Sequence, residues 1–83
     1  MNFAPHDPKT PADKLIITVW LDGNKVRWAK ANGSQGVLQL LFPNPASADV
    51  RSNLIFIEFH QGNKKFTEVY TLLGERRGRI NSN

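Results

Sequence analysis

Trp20 and Arg27 stand on either side of a Gly23-Asn24 pair, and Phe56, Lys64 and Lys65 are arranged in the same manner around Gly62-Asn63. Aromatic and basic side chains interleaved on β-prone runs are suited to holding a single-stranded nucleic acid. Bases stack on ring faces, worth about 1–3 kcal/mol per base, while Lys and Arg follow the phosphates. On the first run the candidates are Trp20, Lys25, Arg27 and Lys30; on the second they are Phe56, Lys64 and Lys65, with His60 beside them. Arg76, Arg77 and Arg79, grouped around Gly78, add electrostatic reach of the kind that loosely structured Arg-Gly segments supply. The competing reading of Trp20 is structural, as a ring packed on its cross-strand arginine or placed in the core.

Other chemistry is poorly supported by the residues present. Glu58 and His60 share a strand face and can touch, but no nucleophile or third titratable group accompanies them, so an enzyme is not expected. His6 and His60 are too isolated to form a zinc site, and no cysteine is present; no metal or cofactor is expected. Gly33-Ser34-Gln35-Gly36 superficially matches the clamp loop of KH domains, but that loop lies between helices and this one lies between strand-like segments. Pro5, Pro8 and Pro11 at three-residue spacing suit an extended arm, and such a string is also a candidate SH3-type ligand.

The net charge of +4 favours a polyanionic partner. Its excess is C-terminal: from Asn63 onward, Lys64, Lys65, Arg76, Arg77 and Arg79 stand against Glu68 and Glu75. A single-stranded nucleic acid is the first partner class. An acidic protein, met through the same basic surface or by strand addition, is the alternative. The N-terminus lacks the apolar stretch of a secretory signal and no run is long enough to span a bilayer, so the expectation is a non-membrane protein of the cytoplasm, nucleoid or nucleus.

The elements that must position these residues follow from turn chemistry. Glycine accepts the positive φ of a primed two-residue turn, so Gly23-Asn24 and Gly62-Asn63 each predict a hairpin. In the first, Asp22 faces Lys25, Leu21 faces Val26, Trp20 faces Arg27 and Val19 faces Trp28. This register puts Ile17, Val19, Leu21, Val26 and Trp28 on a core face, and Thr18, Trp20, Arg27 and Ala29 on the other. In the second, His60 faces Lys65, Phe59 faces Phe66, Glu58 faces Thr67 and Ile55 faces Tyr70. Its core face holds Ile55, Ile57, Phe59, Phe66 and Tyr70, but Glu68 falls among them, a conflict that points to a bulge, an open edge or a longer loop.

The expected fold is all-β, with five short antiparallel strands near 14–21, 25–31, 36–42, 54–60 and 64–72 in a small barrel or strongly bent sheet of SH3-like or OB-like kind. Residues 43–53 read as a connection in which Ser47 could cap a helical turn, and helix over 67–77 competes with strand. The expected organisation is a flexible Pro-rich arm (1–13), one β domain (14–73) and a flexible basic tail (74–83). If the sheet stays open, pairing of edges or of exposed Leu54 and Phe56 would produce a homodimer.

Overall fold

The computed structural model describes residues 3–82; Met1 and Asn2 of the expected arm and Asn83 of the expected tail lie outside it. The described chain is all-β, with one turn of 3-10 helix at Ala12–Lys14. Its strands are β1 (Ile16–Asp22), β2 (Lys25–Lys30), β3 (Gln35–Val37), β4 (Pro45–Arg51), β5 (Leu54–Gln61), β6 (Lys64–Thr71) and β7 (Arg76–Ser82). They form two antiparallel sheets, β1-β2-β3 and β4-β5-β6-β7, instead of a closed barrel. Among the described residues no helix is long and apolar enough to cross a membrane.

Both Gly-Asn turns form where the sequence places them. Gly23 and Gly62 have φ of 62° and 61°, and each is the first of two turn residues between paired strands, the position that a type II′ turn reserves for glycine. The pairings Trp20 with Arg27, Val19 with Trp28, Phe59 with Phe66 and Ile55 with Tyr70 all match the expected register. A third hairpin, β4–β5, turns at Ser52-Asn53, where both residues have positive φ (51° and 62°), as a type I′ turn requires.

Seven strands replace the expected five, because two stretches expected to lie outside the sheet pair into it. Residues 45–51 are not a capped helical turn but β4, paired along β5 through Ala48–Ile57 and Val50–Ile55. Residues 76–82 form β7, paired with β6 through Glu68–Arg79 and Thr67–Ile80, in place of a flexible tail. The expected 36–42 strand shrinks to Gln35–Val37, and the apolar residues after it leave the sheet to cover the core: Leu38 is buried, while Leu40 and Phe42 pack against the same cluster. On β1, a bulge between Ile16 and Thr18 makes Ile17 the extra residue. The bulge turns Ile16 into the core, and Ile17, expected there, is 59% exposed.

One apolar core joins the sheets. Ile16 and Val26 from the first meet Ile55, Ile57, Phe59, Phe66 and Tyr70 from the second, with Leu72 from the β6–β7 connection. Phe42 closes it with edge-on contacts to Phe59 and Phe66, centroids 6.0 and 5.2 Å away, while Phe59 and Phe66 stack at 5.3 Å. The Ile16 N–H donates to the Leu72 carbonyl (2.9 Å), which anchors the start of β1 at the end of β6. Buried Thr71 organises the β6–β7 turn: its Oγ1 accepts from the Leu73 and Glu75 N–H groups at 3.2 and 3.3 Å. The N-terminal arm also touches the sheet, since a Cβ on Gly78 would fall within 2.5 Å of the Phe3 ring, and Arg77 Nε donates to the Ala4 carbonyl at 3.0 Å. Leu54, named above as an exposed dimer contact, is buried.

Candidate polyanion-binding surfaces

The first surface is the outward face of β1-β2-β3. Because β1 pairs with β2 and β2 with β3, Trp20, Arg27 and Val37 fall in one cross-strand row. The opposite row, Val19, Trp28 and Gly36, faces inward, with Trp28 seated so closely on Gly36 that a Cβ there would run into the indole. Alternation therefore sends Trp20 outward: it is 37% exposed, and Val37 is also exposed. Lys25 shares that face next to the turn. Arg27, half-buried, lies 3.6 Å from exposed Asp22, a solvent-accessible contact that water and salt weaken. Lys30 is on the other face, its Nζ 4.9 Å from the Trp28 ring centroid.

The second feature is a buried carboxylate on β6. Glu68 has no exposed surface and lies between Ile57 of β5 and Arg79 of β7. A bulge in β7 beside Val69 and Tyr70 makes Arg77 the extra residue, so Arg76 and Arg79 both turn to the Glu68 side. Arg76 engages the carboxylate with two nitrogens, Nε to Oε1 at 2.5 Å and Nη2 to Oε2 at 3.3 Å; Arg79 uses Nε alone, to Oε2 at 2.9 Å. Burial pushes the Glu68 carboxyl up, but the hydrogen bonds and charges of the two arginines outweigh it and hold it below its ordinary 4.5. Nearby, burial raises the Tyr70 phenol, whose oxygen accepts a 3.4 Å hydrogen bond from the Leu41 N–H.

The third feature is a cleft of about 350 Å³ at the β5–β6 turn, lined by Gln61, Lys64, Lys65, Phe66, Arg79 and Asn81. Its charged liners are all basic. The Arg79 guanidinium is fixed there by Glu68 and by the Phe66 and Phe42 rings, 4.3 and 4.7 Å from their centroids. Among the described residues its two terminal nitrogens have no hydrogen-bond partner.

The ten candidate residues are thus distributed over the molecule. Trp20, Lys25 and Arg27 share one face, and Lys64, Lys65 and Arg79 share the cleft. Arg76 is committed to Glu68, and Arg77 contacts Ala4 and Glu75. Phe56 is half-buried on the far face of the second sheet, with the Arg51 guanidinium 4.4 Å over its ring. The Glu58–His60 pair forms as an exposed 3.0 Å contact. Gln61, Asn81, Arg51 and Phe42 were not singled out from the sequence. Gln61 flanks a recognised turn, which was a usable signal; Asn81 required β7 to be recognised. The chain matches no protein-family model, and neither the curated proteins nor the solved structures yielded a match to it.

Proposed function

We propose that this protein is a non-enzymatic module that binds single-stranded nucleic acid on the outward face of β1-β2-β3. The observation that carries the reading is the outward Trp20–Arg27–Val37 row, in which Trp20 and Val37 are exposed and Arg27 is half-buried. A sheet face holds its side chains in fixed alternation, so the indole and the guanidinium keep their spacing without a partner and little ordering entropy is lost on binding. The indole offers a base a flat apolar surface, the Val37 side chain extends that surface, and Arg27 and Lys25 supply charge to the flanking phosphates. Stacking is indifferent to base identity, so the module discriminates weakly among sequences.

A fluorescence-anisotropy titration with a short labelled oligonucleotide tests this. With Lys25 and Arg27 as the two phosphate contacts, log affinity should fall with log salt at a slope of about −1.4. Trp20→Ala should weaken binding by about 5- to 150-fold, the equivalent of one lost stack. Binding that is undetectable at low salt, or unaffected by Trp20→Ala, would refute the proposal. The edge position of β7 in the four-stranded sheet favours a second reading, a protein adaptor bound by strand addition; a stoichiometric protein partner recovered after nuclease treatment would support it.

A further inference from the structure

We propose that the cleft at the β5–β6 turn is a separate site for a phosphate monoester. It is built from residues at the ends of three strands. Gln61 and Lys64 are the pair that closes the hairpin, Phe66 pairs with Asn81, and Arg79 follows two positions earlier on β7, so these side chains share the core-side face where the core ends. Lys65, on the neighbouring position, also lines the space.

The chemistry of the liners selects the ligand. Lys64 and Arg79 bring two positive charges on the core-side face, and Lys65, whose position alternates to the opposite face, lines the edge of the space. No liner is acidic, and Glu68, behind Arg79, is already matched by Arg76. Gln61 and Asn81 add neutral amide donors. Such a donor-rich, cationic cleft suits a dianion with three equivalent acceptor oxygens better than a singly charged carboxylate.

Arg79 makes the site more than a patch of surface lysines. Its Nε is held by Glu68 and its Cζ lies 4.3 and 4.7 Å from the Phe66 and Phe42 ring centroids, so the guanidinium is held in place before any anion arrives. Arg76 differs, because two of its nitrogens already grip the same carboxylate. The volume of about 350 Å³ is roughly ten times the share of one water in the liquid, room for a phosphate together with part of the group that carries it.

The ligand has two sources, a free phosphorylated metabolite or the terminal phosphate of a nucleic-acid strand, and the test separates them. Amide chemical shifts of the full chain are followed on adding inorganic phosphate, a nucleoside 5′-monophosphate and the uncharged nucleoside, each to ~10 mM. The amides of 61–66 and 79–81 should move with the two phosphates and stay still with the nucleoside. Lys64→Ala/Lys65→Ala, a change confined to exposed side chains, should weaken both by about tenfold, and Trp20→Ala should leave them unchanged, which keeps this site independent of the β1-β2-β3 face.

In the second arm, oligonucleotides with and without a terminal phosphate are compared. Severalfold tighter binding of the phosphorylated strand, lost in the double-lysine variant, supports the site with nucleic acid as its source. Equal binding of the two strands, alongside saturable monophosphate binding, supports it with a free ester as its source. Absence of shifts at the cleft with either phosphate, or shifts that survive the double-lysine change, overturns the proposal.

Discussion

Replacing Glu68 by Gln preserves its size and removes one negative charge from a site with no exposed surface. In the native protein that carboxylate accepts three hydrogen bonds from two cations. Charge-assisted hydrogen bonds contribute about 1.5–3 kcal/mol each, and breaking a buried pair from one side costs about 3–5 kcal/mol. Arg76 and Arg79 are 39% and 35% exposed, so water takes up part of their uncompensated charge and lowers the expected cost to about 2–4 kcal/mol. The amide NH2 adds a further conflict, since it would face guanidinium donors wherever it replaces an acceptor. At roughly 4–8 °C per kcal/mol for a domain of this size, the melting temperature should fall by about 8–32 °C.

Urea unfolding followed by circular dichroism, on wild type and Glu68→Gln at neutral pH and again well below pH 4.5, measures both the size and the cause. The folded-state carboxyl is depressed below 4.5, so its contribution is complete above that value and is lost as pH falls through the lower folded-state value. The gap between wild type and variant should therefore be wide at neutral pH and should close in acid. A gap under about 0.5 kcal/mol at neutral pH, the scale of an ordinary surface substitution, or one that does not change with pH, would show that the carboxylate does not anchor β7.

Further expectations concern individual positions. Arg76→Ala should cost about 2–3 kcal/mol in urea unfolding, whereas Arg77→Ala, whose 3.6 Å contact with exposed Glu75 is weak, should change stability by less than about 0.5 kcal/mol; equal effects would contradict the assignment of Arg76 to Glu68. Gly36→Ala should cost about 1–3 kcal/mol by pushing the Trp28 indole off β3, visible as a lower melting temperature and a shifted tryptophan emission. Gly78→Ala meets the ring of Phe3, which can move away with its arm, so limited proteolysis should cut the first residues faster with little loss of global stability.

Hairpin geometry was legible in the sequence where turn chemistry was strong. Gly23-Asn24 and Gly62-Asn63 determined two registers residue by residue, and alternation from them placed Trp20 outward and Val26 inward. Ser52-Asn53 has no glycine, and the strand before it, Pro45–Arg51, alternates small and polar residues, so β4 takes its form from pairing with β5 and not from its own propensity. The same holds for β7: Arg76, Arg77, Gly78 and Asn81 carry little strand preference, and the ladder to β6 together with the Glu68 ion pairs supplies what the residues lack.

Glu68 was visible as a conflict, but its resolution lay in a strand that did not look like one. Ile17 illustrates the limit of alternation, because a single bulged residue exchanged it with Ile16. Of the site, the placement of Trp20 and Arg27 on one face followed from parity alone. The cleft did not, since it brings together a turn, an unrecognised strand and an arginine positioned by a buried acid.

The most direct test of the single-strand reading uses the two indole N–H signals that Trp20 and Trp28 provide in a nitrogen-15 correlation spectrum. On titration with an unlabelled single-stranded oligonucleotide at low salt, the Trp20 signal should shift or broaden saturably while the Trp28 signal, packed on Gly36, stays in place. If neither signal moves, or if Trp28 responds and Trp20 does not, the β1-β2-β3 face is not where nucleic acid binds.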